Sequence, residues 1–387
     1  MTEQASAYHA AYLMLQQAGV VVQRDTFLDR VQVSAPCLGV DAAHLSDRTV
    51  GMLRHYLVET SHVDFGRENI FQALSQLAYQ NERDSVRIYF DSLVSDGQKR
   101  LGDGWLLKQL GASDTKLNRY NLKRTLVAGV KRVYEPGAWV NFMLILSGPQ
   151  RAGKTTFLRL MAREIDLFTD APVLRLNAQQ RQEALRGRHI VEIAELSGWR
   201  TTDVENTKAF KSTTHDSCRR SFDRLVTDQA RRCILVGTTN EDAPLRDSTG
   251  NHRFPILPVG MKAPINLAVI EKNVDQIWAE AKDLYQSDFS LELPEVLWSV
   301  SVAASERQME DDPWLDTLAN LKGDLAEGEE RVCYEQVFEH LSIPVERQSP
   351  MLARRVASLL VRIGWARRKK NYKWRRKTVR GFTRPLP

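Results

Sequence analysis

The segment Gly148-Pro-Gln-Arg-Ala-Gly-Lys-Thr155 matches the pattern GxxxxGK[ST] at every fixed position. An apolar run, residues 140–146, precedes it, and a helical pattern opens at Thr156. A phosphate-binding loop requires this order of strand, loop and helix, because its backbone N–H groups surround phosphate oxygens at the positive end of the helix dipole. The segment therefore predicts a nucleotide-binding α/β fold with a parallel sheet.

Two side chains of this loop have roles that the motif itself specifies. We expect Lys154 to reach the β- and γ-phosphates of ATP and the Thr155 hydroxyl to bind Mg²⁺. A glycine-rich surface turn is the alternative interpretation. The predicted nucleotide-binding residues are Gly148, Pro149, Gln150, Arg151, Ala152, Gly153, Lys154, Thr155 and Thr156.

A second apolar run, residues 189–194, contains Glu192 and is followed by Glu195. Side chains alternate along a strand, so the two carboxylates lie on opposite faces unless the strand ends between them. We predict that Glu195 polarises the attacking water and that Glu192 lies on the Mg²⁺ side, although the sequence leaves the choice between them open. A solvated or paired strand residue is the alternative for Glu192. His189 is interpreted as the start of the strand, not as a ligand.

A third apolar run, residues 233–236, continues into Gly-Thr-Thr and ends at Asn240. An amide in this place can hold water beside the γ-phosphate if its strand lies between the carboxylate strand and the phosphate loop. Asparagine is also common in ordinary turns after strands. The order of phosphate loop, carboxylate and amide along the chain favours the catalytic role.

Residues 246–255, RDSTGNHRFP, present an arginine after a Gly-Asn turn and before a new apolar segment. This pattern suits an arginine finger that enters the nucleotide site of a neighbouring subunit. Arg253 is the preferred residue and Arg246 the reserve. A plain surface arginine is the competing interpretation.

The 44 residues between Glu195 and Asn240 form a long insertion rich in Lys and Arg. Loops of this length inside a compact domain are usually functional, and in a ring of subunits such an insertion can hold a phosphate backbone. Interspersed acidic residues leave a solvated helix pair as the alternative. The predicted DNA contacts of the insertion are Lys208, Lys211, Arg219, Arg220 and Arg224.

The positive charge of the chain is concentrated at its end. The protein has 387 residues with 54 Lys and Arg against 48 Asp and Glu, a formal charge of +6. Residues 362–387 hold eleven of the basic residues and no acidic one, which leaves 43 basic against 48 acidic residues in 1–361. An acidic stretch, residues 306–330, lies just upstream and suggests a connector to a separate C-terminal module.

The C-terminal module has a helix–helix–basic hairpin pattern. A short helix is predicted over residues 332–340, and a second helix begins at Ser349-Pro350, a favourable cap. Basic residues mixed with aromatic ones follow, as in a winged-helix outline that contacts phosphates and stacks on bases. A disordered tail, or one that contacts only the acidic connector, is the alternative. The predicted DNA contacts are Arg354, Arg355, Arg367, Arg368, Lys369, Lys370, Lys373, Arg375 and Arg376.

Composition excludes several classes of protein. No apolar run approaches the 18 residues that a membrane span needs, and residues 1–4 lack a secretory pattern. Four widely spaced cysteines argue against a disulfide scaffold or a zinc site. We therefore expect a protein of the bacterial host cytoplasm without a membrane partner. The predicted organisation is a helical region 1–135, a P-loop core 136–300, an acidic connector 301–331 and a basic module 332–387.

The combined motifs resemble superfamily 3 helicases of the AAA+ class, and most closely the virulence-associated protein E (VapE) family of phages and mobile elements. The resemblance is carried by VRIYFDSL at 86–93, GRHIVEIAEL at 187–196, KAFKS at 208–212, and by GTTN at 237–240 and LRDSTGNHRF at 245–254. It implies a superfamily 3-like AAA+ core and a hexameric ATPase that translocates on DNA during replication, often with a primase. It also supports the roles of Lys154, Thr155, Glu195, Asn240 and Arg253, and suggests Arg219 or Arg224 in the insertion.

We therefore expect an ATP-dependent helicase or translocase that acts on single-stranded or forked DNA. The chain resembles the helicase part of the family without priming chemistry, so a separate primase is an expected partner. Two alternatives remain open. One is a DNA-stimulated ATPase that loads or remodels a replication partner without unwinding, and the other is a nucleotide-controlled DNA-binding regulator.

Overall fold

A computed structural model describes residues 2–194, 207, 210–219, 226–240, 253–307, 314–326, 328–368 and 371–385. The described residues form two compact units, a first unit up to residue 307 and a second unit from residue 314. Several predicted site residues fall outside the described part of the chain: Glu195, Lys208, Arg220, Arg224, Arg246, Lys369 and Lys370, together with the side chains of Arg219 and Arg354.

The first unit begins with helices packed on a small sheet. The predicted helices near residues 7–15, 47–59 and 69–79 are confirmed, whereas the strands were missed because they are short, polar and only partly buried. The sheet order is β3-β2-β1-β4, with β1 antiparallel to β2 and parallel to β4. The elements are α1 (Thr2–Gln17), β1 (Val21–Asp25), β2 (Arg30–Ala35), β3 (Val40–His44), α2 (Asp47–Ser61), α3 (Arg67–Gln80) and β4 (Glu82–Arg83).

Three helices lead from this region to the central sheet. They are α4 (Ser85–Ser92), α5 (Trp105–Gln109) and α6 (Lys116–Tyr134). The Thr115 side chain caps α6 by accepting a hydrogen bond from the Asn118 N–H at 3.1 Å. The helix ends at Tyr134, directly before the predicted terminator Glu135-Pro136-Gly137. The region 1–135 is thus mainly helical, as predicted, but it also contains a sheet.

The core of the first unit is a five-stranded parallel sheet, which confirms the predicted α/β class. Its strand order is β11-β5-β10-β7-β6. Every residue of β5, β7 and β10 is buried, as expected of parallel strands with both faces covered. The elements are β5 (Leu144–Ser147), α7 (Lys154–Ala162), β6 (Phe168–Thr169), α8 (Ala178–Leu185), β7 (Ile190–Ile193), β8 (His215–Arg219), β9 (Val226–Ala230), β10 (Ile234–Thr239), β11 (Ile256–Pro258), α9 (Leu267–Glu271), α10 (Val274–Gln286) and α11 (Trp298–Arg307).

The strand order brings the phosphate loop and Asn240 to one edge of the sheet, next to the strand that carries Glu192. Strand β10 lies between β5 and β7, with Thr239 paired to Ser147 and Val236 paired to Glu192. The carboxyl ends of these strands form one edge of the sheet, here called the carboxyl edge, and their amino ends form the opposite amino edge. Asn240 and the phosphate loop both follow strands at the carboxyl edge, as predicted.

The described part of the insertion contains a β-hairpin and not the helix pair considered from the sequence. Strands β8 and β9 are antiparallel, with His215 opposite Ala230 and Arg219 opposite Val226. The mixed charges of this segment fit two-sided, solvated strands as well as solvated helices, so the charge pattern did not distinguish the two. The hairpin leads directly into β10.

The second unit has its own apolar core, which includes Leu318 and Leu321, both almost fully buried. The predicted connector 301–331 is therefore wrong, since 301–307 belong to α11 and 314–331 fold into the second unit. Charged residues flank these leucines and obscured their apolar spacing. The elements are α12 (Trp314–Ala319), β12 (Asp324–Ala326), β13 (Glu329–Cys333), α13 (Tyr334–His340), α14 (Pro350–Arg362), β14 (Ala366–Arg367), β15 (Tyr372–Trp374), β16 (Lys377–Val379) and β17 (Gly381–Pro385).

The predicted helix–helix–hairpin order is present in this unit. Ser349 caps α14 by accepting a hydrogen bond from the Leu352 N–H at 3.3 Å, with Pro350 in the first turn. Strand β17 pairs with β13, and its Phe382 is 1% exposed, so the basic end of the chain is part of a folded sheet. Within the described ranges, no helix of the chain has the length and apolar character of a membrane span.

Candidate active site

The phosphate loop connects β5 to α7 with a backbone that requires glycine. A Cβ atom on Gly148 would lie 2.1 Å from the Val259 carbonyl oxygen, so no larger residue fits there. Gly153 has a φ of 93° and is the N-cap of α7, where a left-handed backbone favours glycine. The N–H groups at the start of α7 are thereby available to an anion.

Lys154 is held at the centre of the site. Its side chain is 7% exposed, and its ammonium donates hydrogen bonds to the carbonyl oxygens of Gly148 at 2.7 Å and Pro149 at 2.9 Å. It also donates to Oδ1 of Asn240 at 2.9 Å. Burial lowers the pKa of Lys154, and the nearby Glu192 opposes this shift. The structure thus brings Lys154 and Asn240, which the order of motifs assigned to one site, into direct contact.

Glu192 is a buried carboxylate, 2% exposed, and only one of its two oxygens accepts hydrogen bonds. Its Oε1 accepts hydrogen bonds from the hydroxyls of Thr155 at 2.8 Å and Thr238 at 2.6 Å. Its Oε2 is buried and has no hydrogen-bond partner. Because an unpartnered buried carboxylate oxygen is costly, this geometry favours a ligand role over that of an ordinary paired strand residue.

Thr155 and Glu192 fit the requirements of a Mg²⁺ site shared with a nucleotide. Mg²⁺ prefers oxygen ligands and usually takes one or two protein groups together with substrate phosphates and water. A hydroxyl and a carboxylate, with the free Oε2 of Glu192, provide such a partial set. Among the described residues, no group of three or more His, Cys, Asp or Glu residues forms a complete metal cage. This arrangement agrees with an ion held jointly by protein and phosphate.

Arg253 lies at the amino edge, opposite the phosphate loop of its own chain. Its side chain is exposed, and its carbonyl oxygen accepts a hydrogen bond from the Met143 N–H at 2.9 Å. In the register of β11 on β5, Arg253 lies level with residue 142, six residues before Gly148. That separation is about 20 Å along extended strands. An arginine side chain cannot reach its own phosphate loop over this distance.

Lys211 does not have the exposed position that we predicted for a DNA contact. Its side chain is 2% exposed, its ammonium donates to the Asn141 carbonyl oxygen, and it lies 5.4 Å from the centre of the Phe254 ring. Burial and the bond to Asn141 keep this ammonium from a phosphate backbone. The prediction of Lys211 as a DNA ligand is therefore wrong.

The base of the β8–β9 hairpin is fixed by a partly buried ion pair that no sequence motif indicates. Arg231 is 3% exposed and donates to both carboxylate oxygens of Asp216, at 2.6 and 2.7 Å. It also donates to the Phe210 carbonyl oxygen and lies 4.1 Å from the centre of the Phe210 ring. In the sequence, both charges belong to a stretch of mixed charge, and no spacing rule identifies their pairing.

His189 is confirmed as a structural residue at the start of β7. It is 2% exposed, its Nε2 is 3.2 Å from the Gly129 carbonyl oxygen, and its ring contacts Phe90 and Trp278. Burial lowers its pKa to about 4, because an imidazolium would lose its hydration there. The residue is therefore neutral in the folded protein near neutral pH.

Several basic residues of the second unit contact acidic or aromatic side chains, and some of these are also exposed. Arg375 is paired with Glu339 at 2.8 Å and lies 4.2 Å from the centre of the Trp374 ring. Arg355 lies 4.0 Å from the ring centre of Trp314. Arg368 is partly buried and packs 5.7 Å from the Tyr372 ring. The predicted contacts with exposed side chains are Arg355, Arg367, Lys373, Arg375 and Arg376.

The turn between β15 and β16 has an unusual backbone. Arg375 and Arg376 have φ values of 45° and 68°, both in the left-handed region. Two-residue hairpin turns of this kind normally use asparagine and glycine. Two arginines therefore occupy the tip of the hairpin in a conformation that disfavours them.

A model of the virulence-associated protein E-like domain matches residues 90–310, more than half of the chain. The chain belongs to this family. The resemblance noted from the motifs is thus confirmed, and the match includes the phosphate loop, Glu192, Asn240 and Arg253. No curated protein sequence matches this VapE-like chain.

Solved structures with a similar fold include the apo C-terminal region of NrS-1, with a TM-score of 0.52 and 12% identity over 96% of this chain and 98% of that chain. The SCCmec type IV Cch active helicase matches with a TM-score of 0.39 and 10% identity over 95% of this chain and 93% of that chain. The JCV helicase matches with a TM-score of 0.25 and 13% identity over 73% and 91%. The match to NrS-1 has a TM-score above 0.5. Because the sequence identity is only 12%, this match shows similarity of fold alone. The predicted α/β fold with a parallel sheet is confirmed.

Proposed function

We propose that this VapE-like chain is an ATP-driven, ring-forming helicase or translocase that moves on DNA during replication of a phage or mobile element. The observation that carries the proposal is the contact of Lys154 with Asn240 beside the Thr155–Glu192 pair. All four residues lie at the carboxyl edge, next to a glycine-requiring phosphate loop. A plain surface turn would not place an ammonium, an amide, a hydroxyl and a half-free carboxylate together.

In this proposal, ATP replaces the carbonyl and amide oxygens that hold Lys154. The ammonium then pairs with the β- and γ-phosphates and stabilises charge on the transferring phosphoryl group. Asn240, released from Lys154, orients the attacking water. Thr155 and Glu192 would hold Mg²⁺, which when bound neutralises phosphate charge. Glu195 remains the proposed base for the in-line attack of water.

The position of Arg253 supports a ring. At about 20 Å from its own phosphate loop, its exposed guanidinium can stabilise the phosphates only of a nucleotide in another subunit. Rings form by such head-to-tail contacts when the rotation between subunits closes. We therefore propose a closed ring, with six subunits as in the resembled helicases, and Arg253 as the arginine finger.

Two surfaces are proposed to hold DNA. The β8–β9 hairpin carries Arg219 at its described end, and Arg220 and Arg224 follow it in the sequence. The second unit presents exposed basic residues beside aromatic rings in a winged-helix-like order, which suits phosphate contact and base stacking on single-stranded or forked DNA. A separate primase of the same element is the proposed partner. We place the activity in the cytoplasm of a bacterial host.

The direct test compares Lys154→Ala with Lys116→Ala, which removes an exposed lysine at the start of α6. We expect Lys154→Ala to reduce ATP hydrolysis at least about 100-fold and to abolish unwinding of a forked duplex, because the ammonium stabilises the transferring phosphoryl group. Lys116→Ala should retain both activities. Hydrolysis and unwinding by Lys154→Ala at the wild-type rate would refute the proposal.

The same assay separates the proposed helicase from its closest alternative. DNA-stimulated hydrolysis without strand separation on any fork would indicate an ATPase that loads or remodels a partner. Slow, DNA-independent turnover with tight sequence-specific binding would indicate a nucleotide-controlled regulator. A mass measurement with ATP analogue and single-stranded DNA would test the ring, with a monomer under all conditions as the contrary result.

A further inference from the structure

Lys211 belongs to the insertion but is buried against the segment that carries Arg253. Its ammonium donates to the Asn141 carbonyl oxygen and faces the ring of Phe254, which is 1% exposed. The residue before Phe254 is the exposed Arg253. Residues 141–143 are thus held by Lys211 at one end and by the Arg253 carbonyl oxygen at the other. One buried cation therefore bridges the insertion and the proposed finger.

The same cation is connected to the hairpin through the partly buried ion pair at its base. Asp216 in β8 accepts two hydrogen bonds from Arg231, and Arg231 donates to the carbonyl oxygen of Phe210, the neighbour of Lys211. The backbone N–H of Arg231 also donates a hydrogen bond to the Thr214 carbonyl oxygen at 2.8 Å. A continuous set of contacts therefore runs from the hairpin to Lys211 and on to Phe254. Such a network can transmit a displacement between two sites.

A packing role alone does not require a charge at this position. Burying an ammonium is unfavourable unless it is hydrogen-bonded, whereas methionine fills a similar volume without that penalty. The contacts of Lys211 with a carbonyl oxygen and an aromatic face are directional, so they fix position more strictly than apolar packing. This strictness matters where the next residue has to reach into another subunit.

We propose that Lys211 is a positioning residue that couples DNA held by the β8–β9 hairpin to the placement of Arg253. DNA that shifts the hairpin would move Arg231, Phe210 and Lys211 together, and Lys211 would align Arg253 on the nucleotide of the neighbouring subunit. The inference rests on the proposed function of Arg253. It assigns to the insertion a second role, the DNA-dependent control of hydrolysis in another subunit.

The test measures the ratio of ATP turnover with saturating single-stranded DNA to turnover without it. We expect Lys211→Met to reduce this ratio about 10-fold or to bring it to one, with the Kd for an ATP analogue within about twofold of wild type. Lys211→Arg should restore at least about half of the stimulation, because a guanidinium keeps the charge and the donor. An unchanged ratio in Lys211→Met would overturn the proposal.

A matched control is another buried lysine that bonds carbonyl oxygens away from Arg253. Lys282 in α10 is 9% exposed and donates to the carbonyl oxygens of Phe90 and Leu93. Lys282→Met should lower the melting temperature without changing the stimulation ratio. An equal loss of stimulation in both variants would mean that Lys211 acts through general stability, against the proposal.

Two further variants keep the outcome decisive. Phe254→Leu removes the ring that faces Lys211 while the lysine remains, and we expect it to lower the ratio in the same direction even if Lys211→Met folds poorly. Arg253→Ala tests the proposed function by itself. The double variant Lys211→Met with Arg253→Ala should hydrolyse ATP no more slowly than Arg253→Ala alone. If the loss of ATP turnover in the double variant equals the product of the two single losses, the two residues act independently.

Discussion

The two edges of the five-stranded sheet differ in the kind of polar contact that they hold. At the carboxyl edge, hydrogen bonds between side chains join Lys154 to Asn240 and Thr155 to Glu192. At the amino edge, buried cations donate mainly to backbone carbonyl oxygens. Arg132, for example, is 2% exposed and donates to the carbonyl oxygens of Cys233 and Ala138. At the carboxyl edge, hydrogen bonds bring polar side chains together. At the amino edge, they hold the backbone in place.

This difference agrees with the proposed roles of the two edges. A site for the chain's own nucleotide needs several side chains within hydrogen-bond distance of one another. A contribution to another subunit needs one exposed side chain on a firmly held backbone, which describes Arg253. In the proposed function, the carboxyl edge binds the chain's own nucleotide, and the amino edge contributes Arg253 to the site of another subunit.

The largest effect that tests this contrast is expected from Arg253→Ala. We predict a fall in kcat of at least about 1000-fold, because arginine fingers contribute on that scale, with the affinity for ATP analogue little changed. Lys154→Ala would instead lose productive phosphate binding. Steady-state hydrolysis and analogue titration distinguish the two profiles.

A mixture of the two inactive variants serves as the control for action between subunits. In a ring of randomly mixed Lys154→Ala and Arg253→Ala subunits, about one quarter of the sites would combine an intact phosphate loop with an intact finger from the neighbour. Hydrolysis should therefore reappear on mixing. A mixture as inactive as its components would contradict the assignment of Arg253 to a neighbouring site.

A smaller effect is expected from His189 at the amino edge. Because burial lowers the pKa of His189 to about 4 from its usual 6.5, the neutral form favours the folded state. Its contribution to stability is complete above about pH 6.5 and is lost as the pH falls toward 4. The free energy of unfolding should drop by about 2 kcal/mol between pH 7.5 and pH 5 from this group.

The variant His189→Gln isolates this contribution, since glutamine is neutral at both pH values. Urea unfolding of the two proteins at pH 7.5 and pH 5 gives the four values needed. We expect the wild type to lose about 2 kcal/mol more than His189→Gln over this range. Equal losses in the two proteins would show that His189 is not held neutral by burial.

The smallest effect concerns whether the β8–β9 hairpin alone holds DNA. Removal of residues 362–387 is not a clean test, because it deletes strands and the buried Phe382 of the second unit. We instead expect Lys373→Ala with Arg376→Ala to weaken single-stranded DNA binding severalfold and to reduce the slope of log K against log salt by about 1.4. Titrations at several salt concentrations measure both.

Arg347→Ala, which removes an exposed arginine of the same unit outside the hairpin, is the matched control. It should leave the salt slope unchanged. Unchanged affinity and slope in the double variant would assign DNA binding away from the β15–β16 hairpin.

The residues of the carboxyl edge were predictable because local motifs specify them. A phosphate loop fixes its own strand and helix, and an apolar run that ends in asparagine marks the neighbouring strand. Thr238 was missed, since a threonine inside a buried strand usually signals β-propensity and not a hydrogen bond to Glu192. The sequence predicted that β10 lies between β5 and β7. It did not predict the positions of the outer strands, β11 and β6.

The amino edge was less predictable for a physical reason. Tertiary packing decides whether Lys211 points outward to DNA or inward to Asn141. The sequence around a lysine in a charged stretch does not show which orientation it takes. The pairing of Arg231 with Asp216 likewise joins residues from two strands whose hairpin was not foreseen. Short, half-polar strands such as β1 and β3 lack the alternation that identifies strands from sequence.

The tip of the β15–β16 hairpin has a consequence for the second unit as a whole. Left-handed backbone conformations are unfavourable by roughly 1–2 kcal/mol for each residue other than glycine, and Arg375 and Arg376 both adopt one. Asparagine and glycine would make a more stable turn, but they would bring no charge to its tip. The two arginines make the turn less stable but place two positive charges at its tip. Because a polyanion would bind these charges, the unit should melt at a higher temperature with a polyanion bound than alone.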